Sequence, residues 1–127
     1  MEFEKDEYKN SISLIIGCIF SDLNYVKKLI TNIGDNKFFL KEIIIIFNDV
    51  KHEKNKHLIN SFSFDNIKII KSIYKDKLLP GDARNKGISK CSSEYIAFLD
   101  SSTIPENLWL EKSLKLIINK KINGVLG

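Results

Sequence analysis

The chain has 127 residues, one domain's worth, and 43% of them are hydrophobic, including eight Phe. That is enough apolar side chain to form a core, which excludes wholesale disorder. The formal charge of +4 is carried by Lys residues scattered along the chain rather than striped; this argues against nucleic acid and supports at most a weak preference for anionic ligands or an anionic membrane surface.

In chain order, Met1 to Asn10 is mostly charged and has no apolar h-region, so it reads as an N-terminal extension (residues 1–10) rather than a signal peptide. The longest apolar run is too short to span a bilayer. A cytoplasmic domain is expected, with a peripheral position at the inner face of the membrane as the alternative. Ile12 to Ile16 is a nearly unbroken apolar run, and so are Ile43 to Phe47, Ile67 to Ile70 and Tyr95 to Leu99. They lack the alternation of a half-exposed strand and fit strands buried on both faces of a parallel sheet.

Helical patterns lie between these runs. Leu23, Val26, Leu29, Ile30 and Ile33 follow Ser21 as N-cap, and Gly34 closes that helix. A weaker helix is predicted over 50–62 behind Asp49 as its cap. Ala83, Gly87, Ile88 and Cys91 share one face of a short third helix. Pro105 suits the first turn of a fourth, with Leu110, Leu114, Ile117 and Ile118 as its apolar face. Ile122 to Leu126 is predicted as a fifth strand. The order β-α-β-α-β-α-β-α-β, with right-handed crossovers, predicts an α/β fold: a doubly wound, mainly parallel, Rossmann-like sheet in a three-layer αβα arrangement. Ligands bind such sheets outside the carboxyl ends of the strands.

Two segments at those ends carry candidate chemistry. Asp100, at the end of the fourth strand, opens the run Asp100-Ser101-Ser102-Thr103-Ile104-Pro105. A carboxylate there either faces a ligand, metal or water, or serves as a helix cap. The flanking glycines of a serine-nucleophile elbow are absent. The run Gly81-Asp82-Ala83-Arg84-Asn85-Lys86-Gly87 opens a helix and suits an anion near backbone N–H groups, but it is neither a Walker A loop nor a dinucleotide fingerprint. Of 20 basic residues 19 are Lys, and Arg84 is the single Arg. Its planar fork fits bidentate contact with a phosphate, or with a structural carboxylate such as Asp82 or Asp100. Cys18 and Cys91 read as reduced small hydrophobes rather than a disulfide. His52 and His57 lack the spacing of a helical metal pair.

Taken together, these segments resemble the family-2 glycosyltransferases of the GT-A fold. The carriers are Ile12 to Gly17, Glu42 to Asp49, the Ala83-Arg84-Asn85-Lys86-Gly87 helix start, Ser93 to Asp100 leading into an acidic DxD-type motif, Ile104-Pro105, and Trp109-Leu110-Glu111. The resemblance implies a donor domain (residues 11–127) that binds a nucleoside-diphosphate sugar, of UDP type, for transfer to an acceptor hydroxyl on a saccharide or lipid-linked acceptor. It places Gly17, Cys18, Asn48, Gly81, Arg84, Asp100 and Ser101 at the nucleotide sugar, and Asp100 with Ser102 at a divalent cation, Mn or Mg. There are departures. Gly17 stands where the family usually has Pro, Phe47 and Asn48 where it usually has two Asp, and Ser102 where it has the last Asp of the acidic motif. A hydroxyl supplies no charge, so metal binding is expected to be weak. The family's catalytic base follows the fifth strand, so the chain is expected to stop before the acceptor half and to be inactive alone. A catalytically degenerate nucleotide-binding or protein-interaction domain of the same fold is the alternative. The final strand is expected to leave an exposed sheet edge through which copies self-associate.

Overall fold

A computed structural model describes residues 2–125. Four strands, β1 (Ile12–Ile19), β2 (Leu40–Asn48), β3 (Ile69–Ile73) and β4 (Tyr95–Asp100), form one all-parallel sheet in the order β3-β2-β1-β4. The central pair explains the long Ile runs. β1 and β2 are covered on both faces, so Leu14, Ile15, Ile16 and Ile43 through Phe47 are all essentially solvent-free. The order also fixes which face each helix takes. β1, β2 and β3 step in one direction, so right-handed crossovers put α1 (Leu23–Thr31) and α2 (Glu53–Ser61) on the same face. The return from β3 to β4 places α3 (Pro80–Ile88) on the opposite face, and α4 (Trp109–Lys120) then joins α1 and α2. The three layers are therefore uneven. The larger core joins Leu14, Ile16, Ile43, Ile45 and Phe47 to Leu29, Ile59, Leu110 and Leu114. The smaller one holds Ile15, Ile44, Ile46 and Ala83 under α3 alone.

α3 lies very close to β1 because its inner face is small. A Cβ on Gly17 would meet Ala83 Cβ at 3.2 Å, and a Cβ on Gly87 would meet Ile15 Cγ2 at 2.5 Å. Ala83 and Gly87, one helical turn apart, thus form the flat stripe on which the helix seats. Ile88 and Cys91, predicted on the same face, are exposed and half-buried respectively. On this side β4 is uncovered, and Ile96 and Phe98 are 40% and 41% exposed.

At the opposite, N-terminal ends of the strands, Glu42 is buried with a fully enclosed side chain. Its carboxylate accepts hydrogen bonds from Ser13 Oγ (2.6 Å) and from the Ser92 backbone N–H (2.8 Å) and hydroxyl, with Lys68 Nζ at 3.7 Å. Burial alone would raise the Glu42 pKa. The hydrogen bonds and Lys68 outweigh it and hold the carboxyl below its usual range. The residues before β1 also pack inward: Phe3 stacks on Tyr8, and Tyr8 meets Tyr95.

Several predicted details are corrected. Ser21 lies in a 3-10 turn (Phe20–Asp22), and Asp22 takes the cap position of α1 without a side-chain bond. Asp49 caps nothing; it sits at φ 57°, and α2 begins only after His52. β3 starts two residues later than the Ile67 to Ile70 run. Pro105 precedes α4 in a loop. The α4 cap comes instead from across the fold: the Asn36 side chain accepts the Leu110 N–H at 2.9 Å and donates to the carbonyls of Ile33 and Glu106. Ile122 to Val125 is not a strand, and Leu126 lies outside the described residues. Neither edge of the sheet is therefore the predicted fifth strand; the edges are β3 and β4.

Candidate active site

The strand order reverses beside β1, with β2 on one side and β4 on the other. Chains leaving such neighbours on opposite faces open a crevice at the carboxyl ends. A cavity of about 680 Å³ lies there, within the size range of small-ligand sites. Gly17, Cys18 and Ile19 contribute the end of β1, Asn48 the end of β2, and Leu99 with Asp100 the end of β4. Pro80, Ala83 and Arg84 come from the first turns of α3, and Asp22, Lys77, Leu78 and Thr103 from the adjoining loops.

Five predicted residues thus meet in one place: Gly17, Cys18, Asn48, Arg84 and Asp100. Arg84 and Asp100 are both exposed. Among the described residues neither has a salt-bridge partner, so Arg84 is not held in the structural ion pair with Asp82 or Asp100 that residue type alone left open. Its fork stays available to a ligand. The charged lining is balanced, with Arg84 and Lys77 against Asp22 and Asp100.

Other predicted residues stand differently. Asn48 is buried, and its amide already bridges two walls of the crevice: Nδ2 donates to the Cys18 carbonyl at 3.1 Å, and Oδ1 accepts the Leu78 N–H at 3.1 Å. One N–H and one lone pair remain for a ligand. Gly17 is small for the sake of Ala83 as well as for access. The Cys18 thiol is pushed up to about 12, first by burial and then by nearby Asp22, so it is a protonated small hydrophobe and not a nucleophile. Ser101 is buried, Ser102 is exposed, and neither lines the cavity; nor does Gly81, which is exposed with nothing near its α-carbon. Among the described residues no group of three His, Cys, Asp or Glu gathers as a metal cage. Asp22 and Lys77 were not singled out in the sequence. Asp22 is one of 16 carboxylates, and only the 3-10 turn ending β1 brings it to the crevice.

The sequence pattern described as "Glycosyl transferase family 2" matches residues 13–127. The chain belongs to this glycosyl transferase family. An uncharacterized glycosyltransferase of Rickettsia bellii (strain RML369-C) is 34% identical over 106 residues, 84% of this chain and 15% of that protein. A pre-mycofactocin glycosyltransferase of Mycobacterium tuberculosis is 46% identical over 35 residues, 28% of this chain and 7% of that protein. The chain therefore spans only a small part of these relatives. Among solved structures, S. aureus TarS 1-349 superposes with a TM-score of 0.65 at 16% identity, covering 92% of this chain and 38% of that one. This likeness shows the fold alone. No helix among the described residues is long and apolar enough to cross a membrane.

Proposed function

We propose that the crevice at the ends of β1, β2 and β4 binds the nucleoside-diphosphate part of a sugar donor, of pyrimidine type, for transfer to an acceptor hydroxyl. The observation that carries this reading is the meeting of Arg84 and Asp100, both unpaired among the described residues, in one strand-end cavity. Arg84, aided by Lys77, would hold the diphosphate through charge-assisted hydrogen bonds. As the sugar leaves, negative charge builds on the diphosphate, and a cation fixed in place stabilises it more than it stabilises the bound donor. Asn48, with one N–H and one lone pair free, can pair with a pyrimidine edge while its other groups hold the crevice walls together.

A divalent cation fits this residue set only in part. Asp100 would be its protein ligand, Ser102 lies two residues on and outside the cavity lining with only a neutral hydroxyl to offer, and most of the coordination would fall to phosphate oxygens and water. Such an ion would supply further charge to the leaving diphosphate.

Titration with UDP, followed by amide NMR shifts, tests the assignment. Saturable shifts at Gly17, Asn48, Arg84 and Asp100 are expected at millimolar ligand. Their absence there sinks the proposal. The engaged Asn48 amide and the Ser102 substitution favour a second reading, a domain that binds nucleotide without catalysis. In an assay with several nucleotide sugars and simple acceptors, transfer above the no-enzyme rate overturns the second reading.

A further inference from the structure

A second cleft lies at the opposite pole of the sheet, roughly 25 Å from the first along β2 at the usual rise per strand residue. Its volume is about 410 Å³, and it is lined by Asn10, Lys37, Leu40, Lys41, Asn66, Ile67 and Lys68. Three Lys and two Asn belong to the lining, and no acidic residue does. Two of the three Lys are held in position by neighbours. Lys41 Nζ donates to the Ser92 carbonyl at 3.0 Å, and Lys68 Nζ stands 3.7 Å from Glu42 Oε1. Glu42 offsets Lys68 in part, which leaves Lys37 and Lys41 without a carboxylate partner among the described residues. Its side chain is fully enclosed, and its oxygens are taken by Ser13 and Ser92. Lys37 has no salt-bridge partner among the described residues. Lys37 and Lys41 share the cleft without a carboxylate of their own, and an anion relieves the repulsion between them. The amides of Asn10 and Asn66 add donors that suit phosphate oxygens.

We propose that this cleft is a binding site for a phosphate-bearing anion, separate from the donor crevice. The shared chemistry is a tetrahedral phosphate within reach of Lys37, Lys41 and Lys68. It can come from free phosphate or from the headgroup of an acidic lipid. The proposal does not depend on what the donor crevice binds, because the two sets of residues have no member in common.

The test uses the whole chain and two probes. Inorganic phosphate is titrated against a sodium chloride control of matched ionic strength, while the amide signals of Lys37, Lys41, Asn66 and Lys68 are followed. Separately, the protein is sedimented with vesicles of equal parts phosphatidylglycerol and phosphatidylcholine, and with vesicles of phosphatidylcholine alone. Saturable shifts at these amides with phosphate support the site with a free anion as ligand. Binding to the acidic vesicles, without saturation by phosphate, supports it with a lipid headgroup as ligand. Each version requires that Lys37→Gln with Lys41→Gln weakens binding by about three- to ten-fold, as expected for losing two partly exposed charge contacts. A charge-matched control, Lys54→Gln with Lys120→Gln, alters two exposed lysines outside the cleft and should change binding little. Well-dispersed amide spectra for both double variants confirm that each is folded. The proposal is overturned if phosphate acts no differently from chloride and the acidic vesicles bind no more protein than the neutral ones. It is equally overturned if the control pair weakens binding as much as the cleft pair.

Discussion

Replacing Gly87 with Ala is a direct test of how α3, and with it Arg84, is seated. In an exposed helix the change would stabilise by about 1 kcal/mol, because Gly loses more backbone freedom on folding. Here the new methyl would stand 2.5 Å from Ile15 Cγ2 and 3.2 Å from both Cγ1 and Cδ1. Carbon atoms prefer separations of about 3.5–4.0 Å, so the helix or Ile15 must move by about 1 Å. Ile15 is only 1% exposed and is packed among Ile44, Ile46 and Ala83, which leaves it little room. Overpacking of this kind costs about 1–3 kcal/mol, and the crowding puts this site near the upper end. The net effect is a loss of about 2 kcal/mol after the helix gain is subtracted. Thermal unfolding should show a Tm lowered by about 6–10 °C for a domain of this size. A double variant with Ile15→Ala removes the obstructing methyl, so its loss should fall short of the sum of the two single losses by about 1 kcal/mol or more. Gly81→Ala supplies the contrast, since nothing lies within 4 Å of its Cβ position and the change should be neutral or stabilising. A Gly87→Ala protein as stable as the parent would refute the close seating of α3 on β1.

Four further outcomes follow from the structure. Arg84→Lys exchanges a fork for a point charge and should weaken UDP binding by about 1–3 kcal/mol in calorimetry while leaving Tm unchanged, because Arg84 is exposed and unpaired among the described residues; equal affinity would show that Arg84 does not touch the ligand. Ser102→Asp should tighten manganese binding in the presence of UDP, and tight manganese binding by the parent without nucleotide would contradict the weak-metal account. The lowered pKa of Glu42 adds stability that is complete above its usual value of 4.5 and drains away as pH falls through its lower folded value; Glu42→Gln should therefore flatten the acid side of a Tm-versus-pH curve, and an unchanged slope would mean that the carboxylate is not the titrating group. Ile96 is exposed on edge strand β4, so concentrated protein should self-associate and Ile96→Lys should reduce this; sedimentation showing a monomer at every concentration would exclude the edge as a contact.

The four strands were legible because their signal is local, although two-sided burial holds only for β1 and β2 and Ile122 to Val125 forms no strand. A run such as Ile43 to Phe47, with no alternation, has few uses other than a strand covered on both faces. The helix α1 was legible for the same reason, through Leu23, Val26, Leu29 and Ile30 at helical spacing. The start of α4 was not, because the group that caps it comes from elsewhere in the chain. Nothing near Trp109 announces that Asn36 will receive the Leu110 N–H. Lys71, on β3, donates to the carbonyls of Asn60 and Phe62 at the end of α2, and it too is silent in sequence. The site divides in the same way. Arg84 and Asp100 stand out by type and by position after a strand, whereas Asp22 and Lys77 reach the crevice only through loop paths. Asn48 reads in sequence as a ligand group, and its structural bonds to Cys18 and Leu78 exist only in three dimensions.

The place of β1 in the middle of the sheet has a consequence for assembly during synthesis. β1 is made first, and it can pair with β2 as soon as residues 40–48 have left the ribosome. Its other neighbour is β4, where Ile12 meets Tyr95 and Gly17 meets Asp100. Until then one side of β1 has backbone groups without a strand partner and exposed Ile side chains, the condition in which nascent chains recruit chaperones or stick to one another. Pairing across such a span also closes a long loop before any contact rewards it, which slows folding. The strand-end crevice needs both β1 and β4, so it is among the last features the growing chain acquires. Pulsed hydrogen exchange on stalled chains should find β1–β2 amides protected well before those of β4.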